Sequence, residues 1–316
     1  MKITFIGFNL GPTRAFTNGP GMSFYNFLTA IQEDVEIDVF TVLPVEEKIG
    51  GINFFSINDT AQLAGSIGSS EVLHHWSGID RRFVKIINAA SLLGKKIVCG
   101  PNVLDTVQIE KEKSYLFGSD ISLFLTTNDK LKHALSHQHA IPISKIKSFI
   151  VGPDLDLWSP AENRGSGGIL WKGNCNHEVK DVDFGLRLRD ALPQYKFMFL
   201  GHPAPYKYEE HISVAKTARV YINTSMSETK SQTLMESWAS GVPSVTHPKI
   251  YLHGVNYKTG IITNKTIADY AEAICEIMED KVLYSVLSDG ALSYAREHLS
   301  KEVIRARYFS LLEGKL

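Results

Sequence analysis

Ser225-Met-Ser-Glu-Thr-Lys-Ser-Gln-Thr-Leu-Met-Glu-Ser-Trp-Ala-Ser-Gly-Val-Pro-Ser-Val-Thr246 is the most informative stretch of the 316-residue chain. The apolar run Val220–Asn223 before it reads as a strand, so the stretch opens in a strand-end loop. Its pattern predicts a helix that starts near Ser231 and is closed by Gly241, then a further strand over Pro243–Thr246. In a parallel sheet built from such units, ligands bind beyond the carboxyl ends of the strands. Thr229, Lys230, Ser231, Gln232 and Thr233 bring small polar side chains, a cation and free backbone amides to a helix start, which suits a diphosphate. Glu236 falls about one turn in, where a carboxylate can accept hydrogen bonds from ribose hydroxyls, and Glu228 can face another part of the same ligand. One capping and one surface carboxylate would account for the same two residues equally well.

The same alternation extends outward in both directions. Apolar runs such as Ile3–Phe8, Val35–Val42, Lys96–Cys99, Gly168–Trp171 and Gly260–Thr263 are separated by amphipathic segments such as Met22–Gln32, Phe83–Leu93 and Thr266–Glu279. This predicts an α/β protein with parallel sheets covered by helices on both faces. Some fifteen elements exceed one ordinary sheet, so two doubly wound, Rossmann-like domains are expected. Ile150-Val-Gly-Pro-Asp-Leu-Asp-Leu-Trp-Ser-Pro160 carries two prolines and a glycine straight after a strand, which marks the join. The expected division is 1–152, 153–295 and a C-terminal helix over 296–316.

Composition narrows the function classes. With 44% hydrophobic and 21% charged residues and a formal net charge of −1, the chain is globular and lacks the basic excess of a dedicated nucleic-acid binder. Cys99, Cys175 and Cys275 are far apart, with no C-x-x-C spacing, so neither a disulfide framework nor a zinc site is expected. The apolar run at the N-terminus is too short for a signal-peptide core, and no stretch approaches the eighteen apolar residues of a membrane span. A cytoplasmic protein, with membrane contact at most peripheral, is the expectation. His133, His137 and His139, and the basic group Arg81, Arg82, Lys85, Lys95 and Lys96, read as solvated helix faces.

Several motifs occur in an order that resembles glycosyltransferase family 4. Glu228 and Glu236 with seven residues between them, followed by Ala-Ser-Gly-Val-Pro, are similar to its E-x7-E signature. Glu178-Val-Lys-Asp-Val-Asp183 resembles the family's KG-x-D stretch and precedes Phe197-Met-Phe-Leu-Gly201 as that pattern requires. Thr126-Thr-Asn-Asp-Lys, then Ile141-Pro-Ile-Ser-Lys-Ile-Lys and Gly152–Pro160, resemble its interdomain passage. His253-Gly-Val-Asn-Tyr-Lys-Thr-Gly-Ile-Ile262 resembles the loop after the signature, without the usual double glycine.

The resemblance implies a GT-B architecture, two Rossmann-like domains facing across a cleft, with the nucleotide-sugar donor (UDP- or GDP-linked) held mainly by the second. It implies transfer of the sugar to an acceptor hydroxyl with retention, without a metal or other cofactor. The acceptor would be an unidentified glycan, lipid or protein. By the same resemblance Glu236 would bind the ribose, Glu228 the donor sugar, and Lys172 and Lys180 the departing diphosphate. Gly201 and the glycines of Asn18-Gly-Pro-Gly-Met-Ser23 (Gly19 and Gly21) are further donor candidates, since glycines let the backbone approach a ligand. Three departures stand out: Thr229–Gln232 replaces a glycine-rich stretch, Asn102 stands where many members have a histidine, and the chain is short for the family. His74, His75 and Trp76, at a strand end, are candidates for sugar or acceptor contact, with structural packing as the alternative. A degenerate GT-B protein that binds nucleotide or glycan without turnover remains open. An NAD-dependent oxidoreductase is disfavoured by the first glycine loop, which is not G-x-G-x-x-G.

Overall fold

The structure, a computed structural model, describes residues 1–8, 10, 19–42, 47–77, 81–101, 120–204, 207–228, 230–250 and 257–316. The chain divides into two compact units, Met1–Val151 together with Lys301–Leu316, and Gly152–Ser300. Among the described residues no helix is long and apolar enough to cross a membrane.

The first unit is one sheet of β1 (Lys2–Gly7), β2 (Glu36–Thr41), β3 (Glu47–Ile49), β4 (Ile52–Ser56), β5 (Val72–Ser77), β6 (Lys96–Cys99), β7 (Leu123–Thr126) and β8 (Ile146–Ser148). Their order is β3-β4-β2-β1-β5-β6-β7-β8, parallel throughout except for the antiparallel pair β3 and β4. Helices α1 (Gly19–Ile31), α2 (Thr60–Ser69), α3 (Arg81–Leu92) and α4 (Asp129–His139) connect them. Burial on both sheet faces explains why β1, β2 and β5 are buried along nearly their whole length, polar Thr4, Asp38, His74 and His75 included. Along β1, Ile3 and Phe5 project into one core and Ile6 into the other, as the two-residue period of a strand requires. The C-terminal helix Lys301–Leu312 joins the first core through Ile304, Tyr308, Leu311 and Leu312.

The second unit carries five parallel strands, β9 (Ile169–Lys172), β10 (Phe197–Leu200), β11 (Val220–Ile222), β12 (Ser244–Thr246) and β13 (Gly260–Ile262), in the order β10-β9-β11-β12-β13. Its helices are α5 (Val182–Ala191), α6 (Tyr208–Thr217), α7 (Gln232–Ala239), α8 (Ile267–Glu279) and α9 (Lys281–Leu299). One face is packed by Ile169, Trp171, Phe184, Val220, Tyr270 and Ile274. Thr266 starts α8 by accepting from the Asp269 amide at 3.1 Å, and Asp280 starts α9 by accepting from Val282 and Leu283.

Three features went unread in the sequence. The hairpin β3–β4 turns on Gly50-Gly51, both at positive φ (56° and 90°), the backbone that a two-residue hairpin turn demands. Helix α2 is dilute in large apolar side chains and buries only Leu63, Ser66 and Ile67. Helix α6 buries His211 and Ala215 behind an acidic first turn, so its apolar stripe is too thin to show a helical period.

Candidate functional site

In the second unit the chain runs from β9 out to β10, then returns past β9 to β11, so the strand order reverses between β9 and β11. At such a point the loops leaving the two strands diverge and open a crevice at their carboxyl ends. Strand β9 ends on Lys172, and β11 is followed by Asn223–Glu228 and then α7. Lys172, Lys180, Glu228 and Glu236 therefore come together by strand order, although Lys172 and Glu236 are 64 positions apart in sequence.

Two cation–carboxylate pairs occupy this edge. Lys172 Nζ donates to Glu236 Oε2 at 3.3 Å, and Lys180 Nζ donates to Glu228 Oε1. They differ in depth: the Lys172 and Glu236 side chains are 14% and 2% exposed, those of Lys180 and Glu228 31% and 11%. His211 from α6 completes the deeper pair, with Nδ1 accepting from Lys172 at 3.1 Å and Nε2 lying 3.6 Å from Glu236 Oε2. Burial, with the neighbouring Lys172 charge, holds the His211 imidazole neutral by pushing its pKa down to about 2.

The loops are pinned by buried polar groups. Thr224 Oγ1 accepts from Trp171 Nε1 at 2.8 Å and reaches the Lys180 and Asp181 carbonyls at 2.9 and 3.0 Å. The Met226 amide donates to the Val179 carbonyl at 2.7 Å, tying the Lys180 turn to the Glu228 loop. Ser225 Oγ donates to Glu228 Oε1 at 2.9 Å, and Glu228 forms an isolated parallel bridge with Ile250. Asp181, at φ 47°, caps α5 by accepting from the Phe184 amide and is paired with Lys265 Nζ at 2.6 Å.

Helix α7 begins as its sequence implies. Ser231 is its N-cap but makes no side-chain bond to the first turn, and its hydroxyl accepts from Asn223 Nδ2 at 3.3 Å. The first-turn amides of Gln232 and Thr233 therefore lack that cap, as an anion-binding helix start requires. The buried amide of Gln232 has no hydrogen-bond partner among the described residues. At the far end Gly241 sits at φ 72°, and the Val242 amide donates to the Ser237 carbonyl at 2.8 Å, a left-handed helix stop.

Not every candidate is in this place. His74, His75 and Trp76, considered for sugar or acceptor contact, lie in β5 of the first unit and are fully buried. His74 Nε2 donates to the Gly100 carbonyl at 2.6 Å, its Nδ1 accepts from Tyr308 Oη at 2.8 Å, and Trp76 stacks on Phe27 with ring centroids 4.7 Å apart. His75 packs against Phe83 at 4.7 Å. These three side chains are core, because a central strand is covered on both faces. Gly19 and Gly21 fall in the first turn of α1, and Gly201, at φ 90°, turns the chain after β10. Lys230 is half-buried beside α7. Asn102, Thr229 and the stretch 251–256 lie outside the described residues.

No family model matches the sequence, and no curated protein is detectably similar to it. Solved structures are similar in fold. Sucrose-phosphate synthase from Thermosynechococcus elongatus superposes with a TM-score of 0.70 at 12% identity, over 99% of this chain and 98% of that one. HepE of Anabaena, solved in complex with UDP, gives 0.70 at 13% identity over 99% and 100%. A glycosyltransferase from Rickettsia africae gives 0.74 at 11% identity over 98% and 97%. The chain has the GT-B fold of these enzymes.

His211 and His247 are the members of the site that sequence reasoning missed. His211 stands in an unread helix, and His247 follows β12 with no motif around it. The one available signal was the position of His247, immediately after a parallel strand, where ligand-side loops begin.

Proposed function

We propose that this protein is a retaining glycosyltransferase that moves a sugar from a UDP- or GDP-linked donor to an acceptor hydroxyl. The observation that carries this reading is the pairing of both signature glutamates with lysines at the strand-order reversal, beside an α7 start whose N-cap side chain is turned away. In this reading Glu236, one turn into α7, binds the nucleoside. Glu228, on the adjoining loop, binds donor-sugar hydroxyls in the same reading. Lys180 and the first amides of α7 supply positive potential for the diphosphate, most valuable as its leaving oxygen gains charge. That charge is met by groups of the chain, so no divalent ion is required. The acceptor hydroxyl attacks the anomeric carbon from the face the diphosphate leaves, and its proton passes to the departing phosphate oxygen. The C–O bond to phosphate breaks as the new glycosidic C–O bond forms on the same face, which retains configuration. The UDP and UDP-glucose complexes of HepE support testing uridine donors first.

The experiment is a thermal-shift series with UDP, GDP and their sugar conjugates on wild type and Glu236→Ala, followed by donor turnover with and without EDTA. A ligand at a hundred times its Kd stabilises by about 2.7 kcal/mol. The expected result is a shift with one nucleotide class, lost in the variant, and EDTA-insensitive hydrolysis or transfer. Binding without turnover would favour the degenerate binder, and no shift with any nucleotide would sink the transferase reading and leave a non-catalytic glycan binder.

A further inference from the structure

Lys172 ends β9 against two acceptors at once, Glu236 Oε2 at 3.3 Å and His211 Nδ1 at 3.1 Å. Both partners lie deeper than the lysine itself, His211 fully buried and Glu236 nearly so. Because His211 accepts at Nδ1, its hydrogen is on Nε2, the nitrogen turned toward Glu236. The ring is walled by Trp158, 4.8 Å between centroids, so it has little freedom to turn away. A carboxylate this deep is strongly destabilising without a counter-charge. Lys180 is placed differently, nearer the surface and against Glu228. An anion arriving at Lys172 would have to draw it off a buried carboxylate and a buried imidazole. At Lys180 it need only displace Glu228, whose side chain is 11% exposed against 2% for Glu236.

We infer that Lys172 is a positioning residue and not a diphosphate ligand: with His211 it holds the Glu236 carboxylate for the nucleoside, and the diphosphate is left to Lys180 and the start of α7. The nucleotide named here rests on the function proposed above, whereas the Lys172–Glu236 pairing does not. The two lysines, alike in sequence, then serve different halves of one ligand.

The test has two arms. In the first, thermal unfolding without ligand compares wild type, Lys172→Met, Glu236→Gln and the double variant. Lys172→Met strands a buried carboxylate and should lower Tm by roughly 5 °C or more, and adding Glu236→Gln should restore most of the loss. Additive losses in the double variant would overturn the pairing. In the second arm, uridine and UDP (or guanosine and GDP, if wild type prefers them) are titrated by ligand-observed NMR and calorimetry. Lys172→Met should weaken nucleoside and diphosphate by the same factor, about tenfold, whereas Lys180→Met should weaken the diphosphate about tenfold and leave the nucleoside within about twofold. His211→Gln, which keeps a donor and an acceptor, should bind like wild type, and His211→Phe should behave like Lys172→Met. A Lys172→Met protein that loses only diphosphate affinity would overturn the inference. If wild type bound no nucleotide, the proposed function would fall, and the first arm would still decide the role of Lys172.

Discussion

His247 Nε2 donates to the carbonyl of Ser225 at 2.7 Å, so a buried imidazole just beyond β12 fixes the loop that carries Glu228. The Lys249 amide donates to the other ring nitrogen at 3.3 Å, which sets the tautomer, and Ser225 Oγ extends the restraint to Glu228. His247→Ala should therefore cost about 1–3 kcal/mol of stability, through a buried carbonyl left without its donor, and slow sugar transfer. Urea unfolding and initial rates check this together. A variant as stable and as fast as the parent would remove His247 from the site.

Gln232 buries both polar atoms of its amide without a hydrogen-bond partner among the described residues, at the first position of α7. An unsatisfied buried amide is destabilising by about 1–3 kcal/mol, and a nucleotide that supplies its partners relieves that cost. Gln232→Leu should consequently raise the Tm of the free protein by a few degrees and weaken nucleotide binding about tenfold. Calorimetry and thermal unfolding on the same preparation measure both effects. An unchanged nucleotide affinity would remove Gln232 from the ligand's contacts.

Acid should destabilise both units from about pH 6.5 downward. Burial holds His74 to a pKa of about 3 and His211 to about 2, so both are neutral in the folded protein. In the unfolded chain each takes up a proton near pH 6.5. Below that pH the unfolded state binds more protons, and stability falls as the pH falls, by about 1.4 kcal/mol per pH unit for each residue. Above pH 7 neither residue contributes a slope. His247, also pushed down by burial, adds to the effect in the same direction. Urea midpoints at pH 7.5, 6 and 5 should decline. A midpoint constant across that range would contradict the neutral, buried assignment.

Gly290 lies in the middle of α9, where alanine ordinarily favours a helix by about 1 kcal/mol. Here the sign should reverse, because a Cβ at Gly290 would collide with the backbone carbonyl oxygen of Lys258. Gly290→Ala is expected to lower the Tm by several degrees, read by calorimetry or circular dichroism. A rise in Tm would show that the Lys258 segment yields easily.

The parallel α/β architecture and the second unit's site were both legible in the chain, for separable reasons. Central strands covered on both faces appear in sequence as short, mostly apolar segments, and Ile3–Phe8 and Val35–Val42 were legible on that ground despite the buried Thr4 and Asp38. The start and stop of α7 were legible because Ser231 and Gly241 are local signals, set by backbone geometry within a few residues. Elements whose burial is thin, α2 and α6, left no such trace. The two readings left open for His74, His75 and Trp76, sugar contact or packing, have the same root, since a strand end met by a helix and one met by solvent look alike in one dimension.

What the sequence determined by itself was which groups are available: two carboxylates with seven residues between them around a helix start, and two lysines after an earlier strand. Which lysine faces which carboxylate was decided only in three dimensions, by the return of the chain past β9 to β11. That return sets Lys172 with the buried Glu236 and His211 and leaves Lys180 with Glu228 nearer the surface. The cause is physical: charge pairing acts through space over a few ångströms, and the separations that matter here are spanned by the sheet, not by the chain.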